Sequence, residues 1–166
     1  ISLTPDFSFE NYKAVLTSAI TWKLLFATLK FAALTWALTL VIGFICSYFL
    51  VFHVKNLKWQ IALFLLCTIP FWTSNVIRMI SWVPFLGKEG LFNSFLMALG
   101  IIYKPLEFLL FSDFAVVLTY VHRFTLFMMV PIFNSMAKIS PSVIEAAVDA
   151  GASPFMILKD IIIPLT

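Results

Sequence analysis

The 166-residue chain is 62% hydrophobic and 11% charged, with a net charge of +3 and no clustered basic run. Soluble domains average about 25% charged residues, and one core of this size cannot bury so much apolar surface, so part of it must face lipid. The 19 Phe and 5 Trp residues suit contact with hydrocarbon and with the membrane interface. The scattered charges give no indication of a nucleic-acid partner.

Two adjacent stretches of the chain predict membrane-crossing helices. Residues 31–52 carry no charged side chain, and about 20 such residues cross a bilayer at about 1.5 Å each. They predict a transmembrane helix over residues 26–53. Residues 59–77 are also uncharged and predict a second helix over residues 59–82, kinked at Pro70. The short linker between the two helices predicts an antiparallel hairpin.

The next part of the chain alternates between loop and helix. Residues 83–112 are punctuated by glycine and proline, and their apolar stretch is too short to cross, so it predicts an interfacial or re-entrant helix. A third transmembrane helix is predicted over residues 113–137, and another begins in residues 159–166. Because the chain lacks an initiator Met and stops within an apolar segment, we expect a fragment of a longer protein.

The segment between the last two apolar stretches differs in kind. It places Glu145 and Asp149 among alanines, which is typical of a helix in water or at a protein interface. Ser140 is a candidate N-cap with Pro141 at the first helical position. Gly151 is a candidate C-terminal stop.

The same segment resembles the EAA loop of binding-protein-dependent ABC importer permeases. That signature reads Glu-Ala-Ala, three residues, Gly, nine residues, Ile, one residue, Leu-Pro. The matching positions are Glu145, Ala146, Ala147, Gly151, Ile161 and Pro164. Ile163 stands where the family usually has Leu, which is a mild aliphatic change. An ordinary amphipathic connector is the alternative, and the full spacing between two membrane spans argues against it.

The resemblance implies that this loop couples a membrane helix to a cytoplasmic ATPase. Small alanines allow close seating of a helix in a groove and favour helix formation. A carboxylate can pair with a basic group of the partner, and glycine permits a sharp turn. The implied ATPase-coupling residues are Glu145, Ala146, Ala147, Asp149, Gly151 and Pro164.

Other short motifs extend the resemblance to the B-type permeases of spermidine/putrescine importers. They include Ile77-Arg78, Ser81-Trp82, Leu86-Gly87, Gly90-Leu91 and Asn93-Ser94. The implied fold is the all-α, polytopic fold of type I ABC importer permeases, in the bacterial inner membrane. Residues 1–25 and 83–112 would then be periplasmic loops, and residues 138–158 the cytoplasmic coupling loop. Charge alone does not fix this orientation, because both sides carry basic residues.

The implied partners are cytoplasmic ABC ATPase subunits, a homologous second permease, a periplasmic substrate-binding protein and the lipid membrane. Three residues are candidates for the translocation path: Trp72 and Tyr120 by cation–π contact with a polyamine, and Arg123 as an intramembrane charge. Each has a plainer reading, since interfacial aromatic residues commonly anchor helices and a buried arginine commonly belongs to a structural pair.

The sequence predicts no cofactor and no catalytic site. The pair Gly87-Lys88 lacks the upstream glycine and the Ser/Thr of a phosphate-binding loop. His53 and His122 stand apart, so no metal motif appears. Two other classes remain open: an ion channel or accessory subunit without an ATPase, and a membrane enzyme, for which no convergent set of reactive residues is present. Within the permease interpretation, another small cationic or metal-complex solute is the alternative substrate.

Overall fold

In the computed structural model, residues 9–166 are described. Every regular element in that part of the chain is helical, which confirms the all-α prediction. The first eight residues of the predicted loop 1–25 lie outside the described part. The remainder of that loop holds α1 (Glu10–Thr17) and the beginning of α2 (Ala19–Tyr48). The chain divides into two units, Ile1–Leu34 and Thr35–Thr166.

Three long apolar helical stretches dominate the described residues. Helix α2 continues as a π-helical turn, Phe49–His53, and together they form a 35-residue candidate membrane span. Helix α7 (Asp113–Met136) is the second candidate. The third is α3 (Leu57–Thr68) with the helices after it, a pair bent by 91°. Most large apolar side chains are exposed, which suits contact with lipid or with other membrane subunits.

The third stretch is broken as well as kinked. Helix α3 runs into a 3₁₀ turn, Ile69–Trp72, that contains Pro70. The chain then turns at Thr73 and resumes as α4 (Asn75–Ile80). The sequence predicted a kink at Pro70 within one helix over 59–82, whereas the structure has a sharp break three residues later.

The buried side chain of Arg78 closes this break. Its Nη2 atom donates to the Thr73 carbonyl oxygen at 3.1 Å and to the Thr73 hydroxyl at 3.3 Å. The free carbonyl at the end of a helical turn therefore finds a charged donor, which makes a stronger bond than a neutral one.

Helices α3 and α7 run antiparallel. The ring centroids of Phe64 and Phe133 lie 4.6 Å apart, and those of Phe71 and Phe127 lie 5.5 Å apart. The residue number in α7 falls as the number along α3 and its 3₁₀ turn rises, so the two segments run in opposite directions.

Helices α2 and α7 approach closely at Gly43 and Ser47, which belong to a stripe of small residues on α2. Thr35, Thr39, Gly43 and Ser47 recur every four residues and are all buried. The Ser47 hydroxyl donates to the Met129 carbonyl oxygen at 3.1 Å. Small residues at helical spacing allow two backbones to pack closely within a membrane, where dispersion rather than hydrophobicity drives association.

The segment between α4 and α7 is short helices and loop. It contains α5 (Trp82–Leu86) and α6 (Leu91–Ala98), the second of which is the predicted short helix. An exposed ion pair joins Lys88 to Glu107. The hydrogen bond and charge of Lys88 hold the pKa of Glu107 below its ordinary value, but pairs so exposed add little stability.

Asn93 fastens the loop that follows. Its side chain is fully buried, donates to the carbonyl oxygens of Gly87 and Leu106, and accepts from the Leu106 amide at 2.9 Å. Asn93→Ala should therefore destabilise the protein by about 1–3 kcal/mol, because buried backbone groups lose their partners. Thermal unfolding in detergent measures this, with the exposed neighbour change Ser94→Ala as the control. Equal midpoints for the two variants would contradict this role of Asn93.

The C-terminal part surrounds a small core. Helix α8 (Pro141–Asp149) follows α7, and then come α9 (Pro154–Met156), a π-helical turn (Ile157–Ile162) and α10 (Ile163–Leu165). The buried centre of this core consists of Ile132, Met136, Ile157 and Ile162. It joins the ends of α2 and α7 to α8 and to the last segment.

Candidate functional site

Helix α8 carries most of the EAA-like motif and presents two different faces. Ile144 and Ala147 pack against the C-terminal core. The outer face of α8, formed by Glu145, Ala146, Val148 and Asp149, is exposed. Of the two alanines of the motif, Ala147 therefore seats the helix within this chain and Ala146 remains exposed for a partner.

The beginning of α8 follows the sequence prediction with one difference. Ser140 is the N-cap residue and Pro141 occupies the first turn. The Ser140 hydroxyl, however, pairs with the Ser142 hydroxyl at 2.7 Å and caps no backbone amide. Proline at the first turn loses no helical hydrogen bond and fixes its own φ angle, so it favours a helix start here.

Gly151 ends α8 in a Schellman turn. Its φ angle is +83°, in the left-handed region that favours glycine. The Gly151 amide donates to the Val148 carbonyl oxygen, and the Ala152 amide donates to that of Ala147, both at 2.9 Å. Ala147 and Ala152 also pack against the same core. The glycine of the motif thus sets the direction in which the chain leaves α8.

The last motif residue, Pro164, lies in α10 and is exposed. The π-helical turn directly precedes this helix. The proline nitrogen carries no hydrogen and cannot continue the usual ladder, and π turns occur where that ladder is altered. Between Gly151 and Pro164, the buried Ile157 and Ile162 tie the segment to the core.

A mixed apolar and acidic surface adjoins the outer face of α8. Phe155 is 70% exposed and Met156 is 52% exposed. A surface pocket of about 250 Å³ lies beside them, lined by Gly151, Met156 and Asp160 among others. Exposed apolar groups beside carboxylates are typical of a protein-binding surface.

The three path candidates do not come together. Trp72 is 83% exposed and lines neither of the two cavities that the other candidates line. Tyr120 lines a cavity of about 230 Å³. Arg123 lines a different cavity of about 430 Å³, and its guanidinium carbon lies 5.2 Å from the ring centre of Phe124. Trp82 lines both cavities.

Arg78 is the residue that the sequence interpretation missed. It is 9% exposed and lines the larger cavity beside Arg123 and His122. The rule that selected Arg123, a charge within an apolar span, applies equally to Arg78. The sequence interpretation named it only as part of the motif Ile77-Arg78.

Comparison with known proteins gives matches over nearly the whole chain. PotB, a spermidine/putrescine transport system permease protein of Escherichia coli (strain K12), is 34% identical over 160 residues, which cover 96% of this chain and 57% of the relative. YdcU, an inner membrane ABC transporter permease protein of the same strain, is 22% identical over 175 aligned positions, covering 99% and 55%. MalF, a trehalose/maltose transport system permease protein of Thermococcus litoralis, is 29% identical over 165 residues, covering 97% and 54%. No protein-family model matches the chain.

These relatives and the apolar helices place the chain in the family of ABC transporter permeases, as the EAA-like motif indicated. As expected for that family, it carries helices long and apolar enough to cross a membrane. Within the family it is similar to PotB, so the resemblance to spermidine/putrescine permeases is also confirmed. The chain spans about half the length of each of these relatives.

Proposed function

We propose that the chain is part of a membrane subunit of an ATP-driven importer for a small organic solute. The observation that carries the proposal is the two-sided α8. Its inner face is fixed to the core at the ends of α2 and α7, and its outer face is free. The similarity to permeases of ABC transport systems supports a separate ATPase as the partner of the outer face.

The proposed topology places residues 138–158 in the cytoplasm, with residues 1–25 and 83–112 on the periplasmic side of a bacterial inner membrane. The membrane helices would cross over 26–53, 59–82 and 113–137, and another would begin at 159–166. A second homologous permease would complete the path, and a periplasmic binding protein would deliver the solute.

The proposed mechanism is rigid-body transmission. Closure of two ATPase subunits on ATP would displace α8, with contacts to Glu145, Ala146 and Asp149. Ile144 and Ala147 would carry that displacement to the core and therefore to α7 and the last segment. Because packed cores resist continuous deformation, small shifts are converted into movements of whole helices. Pro164 lies where the last segment would receive this movement.

The proposed solutes are spermidine and putrescine, which appear in the names of several relatives. The trehalose/maltose permease among the relatives supports a second candidate, another small solute. Uptake tests the choice: the full-length permease with its partner subunits is placed in proteoliposomes that contain ATP, with binding protein outside. Accumulation of labelled spermidine that requires ATP supports the first candidate, and accumulation of maltose without spermidine overturns it.

Two identical substitutions at adjacent residues test the coupling role. Ala146→Leu on the outer face should leave the protein as stable as wild type and should strongly reduce the ATPase that co-purifies with it. Ala147→Leu on the inner face should lower stability by about 1–3 kcal/mol, because added methylenes overpack a filled core. Thermal unfolding and co-purification are measured on both variants. Full retention of the ATPase by Ala146→Leu would overturn docking at this face and favour a channel or accessory subunit.

A further inference from the structure

A cavity of about 430 Å³ opens between α2, α7 and the broken segment after α3. Small-molecule sites in proteins typically measure about 300–1,000 Å³ and combine apolar walls with a few polar groups. This cavity has that character. Its apolar wall includes Ile42, Phe71, Leu118 and Leu126, and its ionisable basic groups are Arg78, His122 and Arg123. None of the described residues that line it is acidic.

The cation at the centre of this set is Arg78. Among the described residues, its guanidinium meets neutral acceptors alone, the carbonyl and hydroxyl oxygens of Thr73 at 3.1–3.4 Å. A guanidinium has five donors in a fork that matches a carboxylate or phosphate. A buried charge within an apolar span requires a counter-charge, and none of the described residues that line the cavity supplies one.

A second cation, Arg123, strengthens the positive character of the cavity. Arg123 and His122 come from α7, whereas Arg78 comes from α4, so different helices bring their basic groups to one place. The His122 ring meets the Trp82 ring edge to face, with centroids 5.5 Å apart. A diamine or triamine would be repelled here, since it carries the same sign of charge as both arginines.

We propose that this cavity binds the anionic group, a carboxylate or a phosphate, of a small amphipathic molecule. The arginine fork of Arg78 receives the acidic group with Arg123 beside it, and the apolar wall receives the hydrocarbon. The site goes beyond the proposed transport of polyamines and does not depend on the docking of an ATPase. Its ligand reaches it either as a free organic acid or as an anionic lipid headgroup.

Three six-carbon probes test which sign of charge the cavity prefers in a ligand: hexanoate, hexanol and hexylamine. Cys46 and Cys67 both line the cavity and are free thiols, so their rate of alkylation by a small maleimide reports its occupancy. The measurement uses the full-length permease with its partner subunits in nanodiscs of neutral phosphatidylcholine. Hexanoate should protect the two cysteines at concentrations about tenfold lower than hexylamine, as one charged hydrogen bond implies.

A matched cysteine controls for simple partition of the probes into lipid. Leu38→Cys places a thiol on the exposed side of α2, outside the cavity lining, and all three probes should affect it equally. Arg78→Gln should raise the half-protecting concentration of hexanoate about tenfold, and Arg78→Lys should give an intermediate value. The comparison of the probes on unmodified Arg78 remains decisive even if the variants fold poorly.

The source of the anion is separated by lipid composition. Protection that appears in phosphatidylglycerol nanodiscs without any probe identifies a lipid headgroup as the ligand and supports the site. Equal protection by hexylamine and hexanoate overturns the proposal. So does full protection in the assembled complex that no probe or lipid changes, because an acidic side chain of another subunit then fills the cavity. Loss of ATPase co-purification would leave these outcomes unaffected, so the two proposals fail separately.

Discussion

Gly151→Val should uncouple the permease from its ATPase. A β-branched residue at a φ angle of +83° is strained whatever space surrounds it, and a Cβ atom here would meet no atom within 4 Å. The strain is therefore purely one of backbone conformation. A cost of about 2 kcal/mol would lower the population of the native turn about 30-fold. The chain would then leave α8 in another direction, and the outer face would lose its position relative to the core.

Two variants separate this effect from general destabilisation. Gly151→Asn should retain most of the co-purifying ATPase, because asparagine tolerates the left-handed conformation. Gly100→Val introduces the same strain elsewhere: Gly100 has a φ angle of +71° and makes the same pair of turn hydrogen bonds after α6. It should lower stability similarly and leave ATPase binding intact. An ATPase yield from Gly151→Val that matches that of Gly100→Val would refute a special role for the turn after α8.

The outer and inner faces of α8 explain why a short motif would suffice for the proposed coupling. Ala147 and Ile144, on the inner face, pack against residues from the end of α7 and from the last segment. A displacement of α8 cannot be absorbed by a loose loop, since the Schellman turn fixes the exit of the chain through Ala147 and Ala152. The small residues of the motif therefore have two structural roles: the alanine lets α8 pack closely on the core, and the glycine sets the direction in which the chain leaves α8.

The membrane helices could be predicted from the sequence because a helix that faces lipid must be composed mainly of apolar residues. A span needs an uninterrupted apolar stretch, and α2 and α7 satisfy that demand by composition alone. The turn after α8 was also predictable, since a positive φ angle selects glycine and leaves it visible as Gly151. In both cases a single local property decides the structure.

The break after α3 depends on a contact that composition does not encode. Pro70 indicates a disturbed helix, but the position of the break is fixed by Thr73 and by the reach of the Arg78 guanidinium. Hydropathy treats that arginine as the end of a span and gives no sign that its side chain is buried. The path candidates failed to cluster for the same reason, because each was chosen from its own chemistry and not from a shared cavity.

Gly43→Leu should be the most destabilising change within the membrane helices. A Cβ atom at this position would lie 3.2 Å from the Met129 backbone nitrogen and 3.4 Å from its Cα atom. Neither neighbour is a flexible side-chain end, so the two helix backbones must separate to admit a leucine. Overpacking costs about 1–3 kcal/mol, and loss of the Ser47 hydrogen bond to Met129 adds about 1 kcal/mol.

The matched control for this change is Ala37→Leu, which adds a leucine to the exposed side of the same helix. Since α2 is otherwise unchanged, the difference in thermal unfolding midpoint between the two variants isolates the crossing with α7. Gly43→Ala should lie between them, because a single Cβ atom can be admitted by a shift of a few tenths of an ångström. A Gly43→Leu protein that unfolds at the same temperature as the Ala37→Leu protein would show that the small-residue stripe does not hold α2 against α7. The cavity lined by Arg78 would then lose one of its walls as a fixed surface, since Ile42 and Cys46 belong to that same part of α2.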